Sequence, residues 1–586
     1  MALEKNDALS PLQRFFRMLA ADGKDITYIY VYAIFSGLIA LILPLGVQAI
    51  IGLIAGGTMS VSLYVLIGVV TAATVFSGIL KIMQMSVTET IQQRIFVRSA
   101  FDFSYRLPRL RLDSLSNYYP PELVNRFFDT LTIQKGLPKI LIDLSSSVLQ
   151  IVFGLLLISF YHPFYVFFSI LLLLVMFLIF RLTGQRGLAT SLKESKHKYE
   201  VAYWLEEQAR ALATFKLAGD SPFPLQRTDA LVGNYLKYRR EHFKVLVSQF
   251  GSIVAFEVVV IASLLALGSY LVLQNQINFG QFVAADIVII IVIGSVEKLI
   301  VTMETVYDVL TALDKLGYVT DLPLEENQGI AFTECEKNCG IELHLDKVSF
   351  SFAGSDRPAL NGIDLHINPG ESVCIAGYSR SGKTTLLELV AGLFPYFQGS
   401  ISYNGFPLRS IELDSLRRQI GDFLAEEHLF KGTILENISI GNPDLPLSDV
   451  LEAAEKLGLA SFIRNLPDGY HSMLMPEGRN LPRSIRLKIM LVRALASKPR
   501  LLVVEDVFST MEPRDRQIIA SCLTAPDRPW TLVTVSNDPL LASHCDRVVI
   551  LKDGLVETEG TFREIQNSAH FKPVFRQEDS WNLSGR

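Results

Sequence analysis

Residues Ser372-Val373-Cys374-Ile375-Ala376-Gly377-Tyr378-Ser379-Arg380-Ser381-Gly382-Lys383-Thr384-Thr385 decide the fold of the second half of this chain. Ser372–Ala376 reads as a buried strand and Leu386–Ala391 as a helix. The turn between them has the pattern G-x-x-x-x-G-K-T in the strand–loop–helix setting that gives the pattern its meaning. Gly377 and Gly382 let the backbone turn its N–H groups inward, and the helix N-terminus adds its dipole. Gly377, Tyr378, Ser379, Arg380, Ser381, Gly382, Lys383, Thr384 and Thr385 thus form a cradle for the β- and γ-phosphates of a nucleotide. In it Lys383 neutralises phosphate charge and the Thr384 hydroxyl is a Mg²⁺ ligand.

Downstream, Leu501-Leu502-Val503-Val504 is an apolar strand that ends in Glu505-Asp506. Acids at such a strand end suit a Mg²⁺ contact and a water-positioning base, a reading that gains force only because a phosphate loop precedes it. Short β-branched strands alternate with helices across residues 341–586, the signature of an α/β domain with a mainly parallel sheet. Before them, residues 321–340 form a polar linker with Pro323 and a run of acids.

Upstream of the linker, residues 1–320 read differently. A bilayer core needs about 20 apolar residues as helix. Ile26–Ile54, Val61–Val87, Ile140–Phe160, Phe164–Leu182, Phe250–Leu273 and Phe279–Met303 qualify. They pair across short uncharged gaps. Two long connections, Thr88–Lys139 and Thr183–Gln249, separate the pairs and carry many Lys and Arg residues, which marks them and both termini as cytoplasmic. Each reads as helix out, a turn near Tyr118–Pro121 or Gly219–Pro222, and helix back. Pro44 is tolerable inside the first span, where neighbouring helices satisfy the freed backbone. Glu257 and Asp286 lie within spans five and six. Such acids either face a cavity or pack two helices through hydrogen bonds.

The 586 residues exceed one ordinary domain, and half are apolar, which fits a chain that is membrane in one part and globular in another. With a net charge of −5, nothing suggests a nucleic-acid partner. Of five cysteines, Cys335 and Cys339 stand in the linker with no further metal ligand nearby, so all read as reduced thiols.

This organisation resembles the ATP-binding-cassette exporters over nearly the whole chain. Pro121–Phe127 is similar to the first coupling-helix region. Pro369-Gly370-Glu371, Gly399-Ser400-Ile401, Asn404-Gly405, Leu429–Ile438, Arg493-Ala494-Leu495, Asp553-Gly554 and Glu559-Gly560 are family-like. The membrane half looks most like the haemolysin-type secretion and peptide exporters. About 25 residues precede the first span, so no peptidase domain is expected. The resemblance implies ATP and Mg²⁺ as ligands and a second half-transporter, identical or different, as partner. It also implies membrane lipid around the spans, a bacterial inner (plasma) membrane location, and room for a periplasmic adaptor protein.

The departures from the family pattern matter as much. The signature Leu-Ser-Gly-Gly-Gln, which faces the other subunit's ATP, aligns with Leu481-Pro482-Arg483-Ser484-Ile485. Pro482 removes an N–H and Arg483 adds bulk where backbone should approach phosphate. The Q-loop glutamine aligns with Ala425. The family's Asp-Glu is inverted to Glu505-Asp506, which leaves Asp506 as a short base and Glu505 as the Mg²⁺ contact. The switch histidine aligns with Ser536. The adenine-stacking aromatic is kept as Phe352, and the D-loop loosely as Ser509-Thr510-Met511-Glu512. The expectation is a half-transporter that binds MgATP, moves a substrate outward as a dimer and hydrolyses ATP poorly. The alternative is an ATP-gated, non-hydrolysing assembly or regulatory component of a secretion complex.

Overall fold

A computed structural model describes residues 9–55, 61–115, 118–333, 340–424, 428–506 and 511–575. They fall into two units: Met1–Leu110 with Tyr118–Pro323, and Arg111–Asn117 with Leu324–Arg586.

The first unit is helical. Helix α1 (Pro11–Ala20) starts at a reciprocal cap in which the Ser10 hydroxyl accepts from the Gln13 N–H and the Gln13 side chain accepts from the Ser10 N–H. Then come α2 (Gly23–Ala40), α3 (Ile42–Ala55), α4 (Val61–Arg106), α5 (Pro120–Asn125), α6 (Asp129–Pro138), α7 (Ser145–Ser159), α8 (Pro163–Arg210), α9 (Leu212–Leu217), α10 (Phe223–Leu273) and α11 (Phe279–Thr320). Among the described residues, six helical stretches are long and apolar enough to cross a membrane.

The first of these is broken rather than continuous. Pro44 has no N–H to give the Ala40 carbonyl, and its ring would crowd that carbonyl, so α2 stops at Ala40 and α3 begins at Ile42. Elsewhere the spans run on further than their apolar stretches. Helices α4 and α8 contain 46 and 48 residues, about 70 Å each at 1.5 Å per residue. The first turn comes where Tyr119, extended as residues before proline usually are, leads into α5. The second comes at Gly219, which has a φ of +68°. The third span joins α6 to α7 through the π-helical segment Lys139–Leu144, directly after Pro138.

Apolar side chains face outward along these helices. Val61, Tyr64, Phe167, Phe177, Val258 and Val259 are exposed, an arrangement suited to hydrocarbon. Inside, the Gln84 amide donates to the Ile29 carbonyl at 3.0 Å, while Lys298, which is exposed, meets Asp143 at 2.8 Å. Glu257 and Asp286 are each half-buried, with no hydrogen bond or ion pair among the described residues.

The second unit holds two main sheets. Its strands are β1 (Leu343–Phe350), β2 (Leu360–Ile367), β3 (Ser372–Gly377), β4 (Gln398–Tyr403), β5 (Phe406–Pro407), β6 (Ile420–Phe423), β7 (Gly432–Thr433), β8 (Met473–Leu474), β9 (Leu501–Glu505), β10 (Thr531–Val535), β11 (Arg547–Lys552) and β12 (Leu555–Gly560). Strands β2-β1-β4-β5 form an antiparallel sheet. The order β12-β11-β3-β10-β9-β6 forms a second one, parallel except for the edge pair β11–β12. Every residue of β3 is buried, as are Leu501–Val504 of β9 and all of β10. Such unbroken burial, on mostly apolar residues, marks strands covered on both faces. The carboxyl ends of β3, β9 and β10 are neighbours, and at such an edge an α/β sheet binds its ligand.

Candidate functional site

The loop after β3 delivers its residues to helix α12 (Lys383–Val390). Gly382, the residue before the helix, has a φ of +91°, and a Cβ there would lie 2.4 Å from the Ala359 carbonyl oxygen. Gly377 is fixed for a different reason: a Cβ would lie 2.2 Å from the Leu551 oxygen, because β11 passes against it. Only glycine fits either position. Tyr378 is half-buried, Ser379 and Arg380 are exposed, and Ser381 and Thr385 are buried.

Lys383 folds back over its own loop. Its ammonium donates to the carbonyls of Gly377 at 3.0 Å and Tyr378 at 2.7 Å, and to the Ser381 hydroxyl at 3.3 Å. Burial holds this ammonium below the ordinary lysine range, while the charges of Asp506 and Glu505 pull the other way. The two acids at the end of β9 therefore act electrically on the loop lysine. The contact is direct at Thr384, whose hydroxyl donates to Glu505 Oε1. Thr384 and Glu505, the pair expected to hold Mg²⁺, are thus brought together as two hard oxygen donors, a set that fits the ion.

Ser536 follows β10 and is 1% exposed. Its N–H donates to the Ile375 carbonyl at 3.2 Å, its hydroxyl accepts from the Asp538 N–H at 3.0 Å, and its carbonyl accepts from the Cys374 thiol at 3.6 Å. Its side chain is committed to its own turn. Asp506 is exposed, and its N–H donates to the Val535 carbonyl at 2.8 Å. Phe352 is 41% exposed. It is braced edge-on by Phe350 and Phe394, at centroid distances of 5.0 and 5.8 Å.

Pro482 caps the helix Arg483–Ala496 without a side-chain hydrogen bond, and Pro482 and Arg483 are both exposed. This stretch has no hydrogen bond to the phosphate loop among the described residues. Arg493 on the same helix donates from Nε to the Asn437 carbonyl at 2.8 Å, and the Asn437 side chain in turn pairs with both polar groups of Phe430. Ala425, Ser509 and Thr510 lie outside the described residues, as do Cys335 and Cys339.

One residue escaped the sequence reading. The Gly377 N–H donates to Asn537 Oδ1 and Asn537 Nδ2 donates to the Gly377 carbonyl, both at 3.1 Å. Its place directly after the aligned switch position was the available signal.

Known proteins share this plan. The model of the ABC transporter transmembrane region matches residues 26–296, and the ABC transporter model matches residues 360–509. The chain belongs to the ABC transporters, with a transmembrane and a nucleotide-binding domain. It is an integral membrane protein. The alpha-hemolysin translocation ATP-binding protein HlyB of Escherichia coli O157:H7 is 27% identical over 367 residues, 62% of this chain and 51% of that protein. The ATP-dependent lipid A-core flippase of Chromobacterium violaceum is 25% identical over 383 residues, 65% of each chain. The matched chain thus spans about half the length of the first relative and under two thirds of the second. In fold it is similar to a bacterial Atm1-family ABC exporter with ATP bound, with a TM-score of 0.82 at 18% identity, over 93% of this chain and 96% of that one.

Proposed function

We propose that this chain is an exporter-type half-transporter. It binds MgATP, works as a dimer and moves a substrate outward, but turns ATP over slowly. The observation that carries the reading is the contrast within one site. The phosphate loop has its glycines, Lys383 and the Thr384–Glu505 pair in place, whereas Ser536 is buried with its hydroxyl engaged. Domain limits of 1–320, 321–340 and 341–586 go with this reading.

In this account the loop N–H groups and Lys383 hold the phosphates of ATP. Phe352 offers its exposed face to the adenine. Thr384 and Glu505 would hold Mg²⁺, which would supply charge neutralisation at the phosphates. Asp506 takes the position of the water-activating base with a side chain one methylene shorter than glutamate. Ser536 and Ala425 provide neither an imidazole nor an amide. In a dimer the helix behind Pro482 and Arg483 would face the partner's ATP without the glycines that let backbone approach it. Removing one positioned group costs about 10²–10⁴ in rate, and the losses do not simply multiply.

The relatives named for hemolysin translocation and lipid A-core flipping bring proteins and lipids into view as cargo classes. The same likeness supports a bacterial inner-membrane location with lipid around the spans, and admits a periplasmic adaptor. Purified protein in lipid should bind ATP in a titration yet release phosphate far more slowly than an ordinary transporter ATPase. Binding with no turnover at all would favour the regulatory alternative. Failure to bind nucleotide would end both readings.

A further inference from the structure

We propose that Asn537 is a positioning residue of the nucleotide site. It holds the Gly377 N–H and carbonyl, so that Lys383 is free to move to the phosphates. The proposal rests on the nucleotide-binding reading above and adds a residue and a role to it.

The Gly377 carbonyl accepts two donors at once: Lys383 Nζ at 3.0 Å and Asn537 Nδ2 at 3.1 Å. When Lys383 leaves to meet a phosphate, it gives up this carbonyl and that of Tyr378. A buried carbonyl left without a donor is costly. Gly377 is fully within the buried strand β3, but Asn537 keeps its carbonyl satisfied after the lysine departs. The same amide accepts the Gly377 N–H at 3.1 Å, so the two peptide units that flank the Gly377 Cα are both held in one orientation.

Asn537 is itself fixed from both sides. Ser536 before it has its N–H, hydroxyl and carbonyl engaged with Ile375, Asp538 and Cys374. Asp538 after it accepts the Leu540 N–H at 2.8 Å and pairs with Arg516 at 3.1 Å. Three consecutive residues thus tie the end of β10 to its surroundings: Ser536 to β3 through its backbone, Asn537 to the loop and Asp538 to the neighbouring helices through their side chains. This turn supports the loop backbone rather than any single phosphate, and its contribution is the same whether the bound nucleotide has two phosphates or three.

The test is a set of titrations of the full chain in lipid with MgATP and MgADP. The protein is compared with Asn537→Ala and Asn537→Gln. Losing both hydrogen bonds in Asn537→Ala should weaken both nucleotides in parallel by about tenfold, with their affinity ratio unchanged. Asn537→Gln, which keeps an amide, should recover part of that loss. A thermal melt of each variant without nucleotide checks folding; if Asn537→Ala fails to fold, Asn537→Gln decides, by weakening both nucleotides alike. A selective loss of ATP would make Asn537 a γ-phosphate contact and overturn the proposal, as would unchanged affinity for both. If the unaltered chain binds neither nucleotide, the nucleotide-binding reading itself has failed.

Discussion

The Thr384 hydroxyl donates to the Glu505 carboxylate, joining the first turn of the helix after the phosphate loop to the end of a strand 121 residues further along the chain. Glu505→Gln keeps an acceptor for Thr384 and removes the charge. If this pair is the Mg²⁺ contact, the variant should lose about tenfold in ATP affinity with Mg²⁺ present and little in a chelator. Paired titrations check this. Equal losses under both conditions would remove Glu505 from the metal site.

Lys383 gives a pH dependence with a definite sign. Burial lowers its proton affinity, and only the ammonium form attracts phosphate. ATP affinity should therefore fall as pH rises through that lowered value, at a pH below that of an ordinary lysine. Lys383→Ala should weaken ATP by more than about tenfold and flatten the alkaline limb. An alkaline limb that persists in the variant would assign it to another group.

Gly382 allows a test of the loop's shape. Its φ of +91° and the 2.4 Å approach of a Cβ to the Ala359 oxygen make Gly382→Ala a backbone clash rather than a crowded side chain. The expected cost is about 1–3 kcal/mol of stability, with loss of nucleotide binding. A thermal melt that does not move would show that the loop relaxes freely.

Topology can be read by labelling. Gln276, in the turn before α11, and Lys196, on α8, are both exposed. A cysteine at Gln276 should react with an impermeant thiol reagent in intact cells, and one at Lys196 only after the cells are opened. The reverse pattern would invert the membrane arrangement.

Much of this was legible in the chain. The unbroken apolar character of Ser372–Ala376 and Leu501–Val504 marked strands buried on both faces, and both appear as such. The long apolar runs marked the spans, because hydropathy over about 20 residues is set by the bilayer and not by distant contacts. The continuation of α4 to Arg106 was legible too, in the helical pattern of the connection after Val87 rather than in hydropathy. Pro44 was legible as a residue but not in its effect, a helix that stops at Ala40. In the site, the G-x-x-x-x-G-K-T spacing is local and could be read directly. The Asn537–Gly377 pairing spans 160 residues and follows from strand order, which puts β10 beside β3.

The central claim is that a site able to hold ATP has lost the groups that turn it over. The direct measurement is steady-state ATPase of the purified chain in lipid. It is run beside a version carrying Ala425→Gln, Pro482→Ser, Arg483→Gly, Ser484→Gly, Ile485→Gln, Glu505→Asp, Asp506→Glu and Ser536→His. A deficit of about 3 kcal/mol in transition-state stabilisation corresponds to more than a hundredfold in rate. The unaltered chain should be slower by at least about that factor, with ATP affinity similar in the two. Equal rates would contradict it, and would make this chain an ordinary homodimeric ATPase with an unusual site.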